Sequence, residues 1–491
     1  MKPVNYINAV GDSWNIRLAS RYASFVIAIV TAIALSSVAY IIGLSHFSPD
    51  SWAYFELSKT VFGEDFYKFN TLRSYFSSDY SSSFPLGYPI VIAIAQLFMG
   101  QHPIVAVVIN IFVVMITVFV IYNIGIKLKL PALAGFTIMA ALLCYPGYLD
   151  EIFSGRSIPL AILLFVGAYY TYLLGNFYLT GLLLGFATLV RFDFLVYAMA
   201  FQMAICLLQR VQAKYLLLML LSFVIGISPW IIYSHHHFGR FWISDNSWVA
   251  ISALPAYVVD YPAAPTVSVF ESPIVWLMKL LNNSWSLVQA VIHPAKRYPL
   301  LVIFFLAVML NWLHIRAEIK LRLFMLFLIL SASLLPYILT GYFDSRYFAL
   351  YFLCLSVALL YVVHETQVLL FGVRFMGLVF ISLILTLTVG ANSLRKVVSY
   401  GYHQTQIMKT DIEQIAVLAS CHQHNVNTVY IFMGDTLRLA PKYGALTGMR
   451  TAFIPSNFNN MDEKTKNSYF EHMKPYLLIN DLSKISSCIH Q

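Results

Sequence analysis

Five acids and three arginines stand near the ends of apolar runs in this 491-residue chain: Asp50, Glu56, Asp150, Glu151 and Asp193, with Arg156, Arg191 and Arg346. Arginine grips phosphate through charge-assisted, often bidentate bonds. A carboxylate can take the proton from an attacking hydroxyl. Together they suit group transfer from a phospholipid-linked donor, in which arginines hold the phosphate that is also the leaving group. For any one arginine, snorkelling to lipid headgroups is the simpler reading. Three on one predicted face, beside Asp50 and Glu151, point instead to a site for an anionic lipid headgroup.

Asp50 is the acid with the clearest local context. It lies in Ser48-Pro49-Asp50-Ser51-Trp52-Ala53-Tyr54-Phe55-Glu56-Leu57, just past the first long apolar segment. Ser48 is a capping residue, Pro49 fits the first helical position and Asp50 falls in the first turn. The stretch therefore predicts a helix start with a carboxylate at its positive end. The plainer role for Asp50 is to help cap an interfacial helix.

The elements that position these groups follow from composition. The chain is 59% hydrophobic and 11% charged, against about 25% charged in soluble domains. The apolar runs are long and do not alternate, so the expected fold is an α-helical polytopic membrane protein, not a barrel. The net charge of +9 fits cytoplasmic loops and anionic membrane lipids rather than nucleic acid.

About eleven transmembrane helices are expected, near 22–44, 104–126, 131–149, 157–174, 177–190, 194–208, 215–233, 298–313, 323–340, 347–363 and 375–391. Basic loops at 209–214 and 314–322 fix the inside face. That places Asp50, Asp150, Arg191 and Arg346 outside. The apolar run 90–99 is too short to span and is expected to be juxtamembrane, on the same face. Segment 273–292 carries Lys279, Asn282 and Asn283 in its middle and is expected at the interface. The chain divides into a transmembrane catalytic part, 1–391, and a small extracytoplasmic α/β domain, 392–491. In the latter, helices are expected near 409–422 and 436–443, and strands near 428–433, 451–454 and 476–479.

Other motifs exclude rather than assign. No GxGxxG or Walker A loop is present, so nucleotide chemistry has no support. His235-His236-His237 lack ligand spacing for a metal. Neither cofactor nor metal is required. Few polar residues sit within the spans, against an ion-coupled transporter. Cys421 and Cys488 lie in the polar tail and can pair if that tail is extracytoplasmic.

Four stretches resemble the GT-C superfamily of membrane glycosyltransferases, which includes protein O-mannosyltransferases and the lipid A aminoarabinose transferase. Pro49–Leu57 is similar to the acidic motif of the first outer loop. Phe84-Pro85-Leu86-Gly87-Tyr88-Pro89 resembles a juxtamembrane Pro-Pro-Leu-Tyr-Pro-like helix. Gly181–Arg191 is similar to a glycine-led helix ending in an outward arginine. Ser345-Arg346-Tyr347-Phe348 resembles an Arg-Tyr pair before a late span. One departure stands out: Arg156-Ser157-Ile158 occupies the place where members often have Arg-Pro-Asp.

The resemblance implies that Asp50 is the catalytic base, with Arg191 and Arg346 near the lipid phosphate. Glu56, Tyr88, Asp150, Glu151, Arg156 and Tyr347 are expected substrate-binding residues. The implied reaction is inverting transfer from a polyprenyl-phosphate sugar donor to a hydroxyl of a glycan, lipid or protein acceptor. It would occur on the periplasmic face of a bacterial inner membrane. A polysaccharide polymerase or ligase and a lipid-linked-sugar flippase are the alternatives. A flippase has no need of an acid at the outer helix start.

Overall fold

The structure is a computed structural model. It describes residues 6–44, 46–64, 66–68, 71–72, 80–128, 142–143, 145–208, 211–242, 244, 250, 270 and 272–297. Beyond these it describes residues 324, 329, 331, 334–341, 348–350, 353, 394–395, 398–399, 407–416, 418–419, 429–432, 439–447, 451–453 and 476–479. The expected spans at 298–313 and 375–391, most of that at 347–363, and Arg346, Tyr347, Cys421 and Cys488 lie outside the described residues.

Helix α1 (Tyr6–Ile42) begins well before the expected first span, and its apolar stretch is Ser24–Ile42. After it comes α2 (Pro49–Thr60), then the two-residue strand β1 (Thr71–Leu72), α3 (Gly87–Met99) and α4 (Val105–Lys127). Next are α5 (Pro146–Phe153), α6 (Ile158–Leu173), α7 (Phe177–Val190), α8 (Phe194–Leu208), α9 (Ala213–Phe238) and α10 (Pro273–Arg297). Among the described residues, the 18 or more apolar residues a straight span needs occur in three helices: α1, α4 and α9. The chain is a multi-pass membrane protein. Helices α6, α7 and α8 stand where spans were expected but run 16, 14 and 15 residues, short of about 20 for a straight crossing. Helices α5 and α6 pass the apolar test only as a pair, bent by 113° at the Ser154–Ser157 link.

The hairpin between α6 and α7 forms at Gly175, whose φ of +76° is a left-handed value open to glycine. Asn176 caps α7 by accepting from the Leu179 amide at 3.0 Å, and the Thr171 and Thr180 hydroxyls meet across the turn at 3.0 Å. Helix α7 then packs tightly on α9. A Cβ at Gly185 would lie 2.5 Å from the Phe223 carbonyl oxygen and 2.8 Å from Gly226 Cα. The glycines at 181 and 185 are a small-residue stripe that lets two backbones touch where apolar burial gives no preference for helix over lipid. The glycine-led character of this helix is thus a packing requirement, and the helix carries Arg191 at its end.

Helix α2 forms as its sequence dictates. The Ser48 hydroxyl accepts from the Ser51 amide at 3.3 Å, the Ser51 hydroxyl accepts from the Ser48 amide at 3.1 Å, and Pro49 opens the first turn. The helix is not exposed, however. Every residue from Ser51 to Ser58 is buried, with α3 and α11 (Ala440–Thr447) against it. The Lys59 ammonium donates to the Ala445 carbonyl at 2.6 Å, at the end of α11 where carbonyls lack helical partners.

Strands β2 (Val429–Phe432), β3 (Thr451–Phe453) and β4 (Tyr476–Ile479) stand where the tail's alternation placed them, and residues 407–416 are helical. The sheet is parallel, in the order β1-β3-β2-β4. Strand β1 comes from the loop after α2, so the sheet joins both ends of the chain. Helix α10 inverts the usual amphipathic arrangement. Ile274, Leu277, Met278, Leu281 and Trp285 are exposed while Lys279 is buried, and Asn283 donates to the Ile338 carbonyl at 2.7 Å.

Candidate active site

Four corners of the fold meet around the start of α2. The first is the helix start itself, with Asp50 partly exposed beside the capping box. Asp50 is not part of the Ser48–Ser51 box.

The second corner is the α5–α6 link. Asp150 carries a half-exposed side chain (45%), whereas Glu151 has none exposed (0%). That difference decides which of the two acids a substrate can reach. The Arg156 guanidinium is ion-paired to Asp150 through Nη2, and its Nε is 2.8 Å from Glu151 Oε1 and 2.7 Å from the Ser154 hydroxyl. His46, in the turn before α2, places Nδ1 3.4 Å from Asp150 Oδ1. This contact brings the second corner to the first.

The sharp bend between α5 and α6 is made at Gly155, with φ of +69°. A Cβ there would come within 2.9 Å of Ala106 Cβ and 3.2 Å of the Phe47 ring. Asn110, buried inside α4, secures the same bend. Its amide group donates to the Arg156 carbonyl at 2.9 Å and the Glu151 carbonyl at 3.1 Å. A polar residue in the middle of an apolar span is a signal readable from sequence.

The third corner is the α7–α8 junction. Helix α7 ends because Arg191 turns to extended geometry, φ −150° and ψ 126°. Two residues on, Asp193 receives its fork: Nε to Oδ1 at 3.0 Å and Nη2 to Oδ2 at 3.2 Å. The remaining terminal nitrogen, Nη1, lies 3.4 Å from the Ser157 hydroxyl. The Tyr337 hydroxyl donates to Asp193 Oδ2 at 3.4 Å and meets the Tyr197 hydroxyl at 2.8 Å.

The fourth corner is the start of α3. A Cβ at Gly87 would sit 2.7 Å from the Leu189 carbonyl oxygen, so glycine lets α3 abut the last turn of α7. Tyr88 is fully buried, with its hydroxyl 3.0 Å from both the Gly155 carbonyl and Asn110 Oδ1. Its ring meets that of Tyr54 edge-on at 5.1 Å.

Of the expected site residues, Asp50, Asp150, Glu151, Arg156, Arg191 and Tyr88 thus converge. Glu56 is buried farther along α2, on the side of Lys59, whose ammonium burial disfavours and Glu56 partly restores. His46, Tyr54, Asn110, Ser157 and Tyr337 join the site without having stood out in the sequence, and Asp193, one of the five acids, joins it as the partner of Arg191. The three histidines at the end of α9 pack against aromatic rings: His237 lies 3.9 Å from the Tyr80 ring and His235 4.9 Å from Phe241.

This helical membrane architecture has counterparts among solved structures. It is shared with ArnT from Cupriavidus metallidurans, solved bound to undecaprenyl phosphate (12% identity, TM-score 0.56, covering 91% of this chain and 89% of that one). The apo state of the same protein gives 12% identity and a TM-score of 0.57, covering 94% and 90%. No protein-family model and no curated protein sequence matches the chain.

Proposed function

We propose that the chain is an inverting glycosyltransferase that uses a polyprenyl-phosphate-linked sugar. The observation that supports this best is the meeting of a carboxylate at the capped start of α2 with Arg191 at the end of α7. Helix α2 itself is tied to Arg191 by the buried hydroxyls of Tyr54, one turn past Asp50, and Ser157. The solved ArnT structure with undecaprenyl phosphate, in the same fold, supports the donor class.

In this reading Asp50 takes the proton of an acceptor hydroxyl as that oxygen attacks the anomeric carbon. The bond from the anomeric carbon to the phosphate oxygen breaks, and polyprenyl phosphate leaves with the electron pair. Arg191 and Arg346 bind the phosphate, whose charge grows in the transition state. Asp150, held by Arg156 and His46, is the reachable acid that faces sugar or acceptor hydroxyls, with Glu151 behind it. Tyr347 is proposed to complete the substrate surroundings, with Tyr88 packed behind them; Glu56, on the Lys59 side of α2, stands away from them. The acceptor is a hydroxyl of a glycan, a lipid or a protein. The site faces the periplasm of a bacterial inner membrane, and residues 392–491 form a small unit on that side.

The test is Asp50→Asn. Because the Ser48–Ser51 box carries the cap, the variant should melt like the wild type. A positioned base contributes roughly 10²–10⁴-fold, so transfer from a panel of undecaprenyl-phosphate sugars should fall by about two orders of magnitude or more. Near-wild-type turnover would return Asp50 to a purely local role in the helix.

A further inference from the structure

Ser157 is fully buried at the N-cap position of α6, where a serine ordinarily accepts from a helix amide. Here it makes no such bond. Its hydroxyl goes instead to two groups on other elements: the Tyr54 hydroxyl at 2.9 Å and Arg191 Nη1 at 3.4 Å. Tyr54 lies one turn beyond Asp50 on α2, and its ring is wedged edge-on between Phe84 (5.0 Å) and Tyr88 (5.1 Å). Arg191 is fixed from its other side by the two-point contact with Asp193.

We infer that Ser157 is a positioning residue of the transfer site, a single buried hydroxyl that keeps the base-bearing helix α2 in register with the phosphate-side Arg191. The inference rests on the glycosyl-transfer reading and goes beyond it. It assigns a task to the position where this chain departs from the Arg-Pro-Asp pattern, since proline there would offer no hydroxyl. The hydrogen bonding is consistent. Arg191 donates to Ser157 Oγ, and of the Ser157 and Tyr54 hydroxyls one donates to the other. Burial, with Asp50 and Glu151 adding to it against Arg191 and Ser157, pushes the Tyr54 phenol up to about 12, so it stays a hydroxyl at working pH. Loss of the link frees α2 to shift against Arg191, and displacements of about 1 Å at such distances can cost about 10²-fold in rate.

The test compares wild type, Ser157→Ala, Tyr54→Phe and the double variant. Three quantities are read: binding of undecaprenyl phosphate, kcat for an undecaprenyl-phosphate sugar that the wild type uses, and the melting temperature. Ser157 does not cap α6, so its replacement by alanine should lower the melt only modestly, through the buried Tyr54 hydroxyl it leaves unpaired. Each single variant should lose roughly tenfold or more in kcat, with undecaprenyl phosphate affinity little altered. The double variant should be no worse than the poorer single one, because both changes cut the same link. Wild-type kcat in Ser157→Ala, multiplying losses in the double variant, or losses that track the melting temperature would each overturn the inference alone. A wild type that transfers from no member of the donor panel would overturn the donor reading and this inference with it.

Discussion

Removing the Arg156 side chain asks the fold to carry a buried carboxylate without its cation. Glu151 has no exposed side-chain surface and lies 2.8 Å from Arg156 Nε. At that separation an effective dielectric of about 20 gives an attraction of about 6 kcal/mol, and breaking one side of a buried pair typically costs about 3–5 kcal/mol. Asp150, the other partner of Arg156, is half in solvent, where a pair contributes about 0–1 kcal/mol. The costs should therefore be unequal. Arg156→Met is expected to destabilise by about 3–5 kcal/mol, and Asp150→Asn by about 1 kcal/mol or less. Arg156→Met combined with Glu151→Gln should regain most of the loss, because no charge is then left buried. Denaturant unfolding of the purified protein in detergent, followed by tryptophan fluorescence, measures all four. Equal losses in Arg156→Met and Asp150→Asn, or a double variant no better than Arg156→Met, would refute the assignment of Glu151 as the buried charge that Arg156 balances.

Other expectations follow from the packing and the topology. Gly185→Leu must push α7 off α9, since even its Cβ would lie 2.5 Å from the Phe223 carbonyl oxygen; thermal unfolding should show a loss of several kcal/mol, larger than for Gly167→Leu, whose Cβ meets its nearest neighbour at 3.5 Å. Lys59→Met removes the bond to the Ala445 carbonyl; protease sensitivity of the 440–447 region should rise, whereas an unchanged cleavage pattern would mean that α2 and α11 are held together by other contacts. For sidedness, single cysteines placed at Gly100 and at Gly239 should both react with an impermeant maleimide from the outer face, and Gly175 only after permeabilisation; outer labelling of all three would break the alternation on which the shared site face depends.

The parts of this site that were legible in the sequence are those that local chemistry dictates. Ser48, Pro49 and Ser51 specify the start of α2 without help from the rest of the chain. Asn176 and Gly175 likewise specify the hairpin that sets α7 running toward Arg191. The burial of α2 was not legible. Its sequence is only partly apolar, and what covers it arrives from about 380 residues away, through Lys59 and Ala445. Strand β1 is similar: a Thr71–Leu72 pair has no periodicity to read, and it exists as a strand because Thr451 and Ala452 pair with it.

The missed site residues share a physical reason. Ser157 and Tyr54 are ordinary cap and helix residues in sequence, and their roles arise from where α6 and α7 end relative to α2. Those ends are set by glycine. Gly155 allows the bend that turns Ser157 inward, Gly185 seats α7 on α9, and Gly87 lets α3 abut Leu189 at the last turn before Arg191. Each of these glycines is distinguished by a neighbour's backbone or ring standing where a Cβ would go, which depends on elements distant in the chain. The acids and arginines therefore advertise the chemistry, while the glycines determine that Asp50, Asp150 and Arg191 reach one place. Enlarging Gly87 should accordingly impair transfer by displacing the end of α7, although the residue carries no functional group at all.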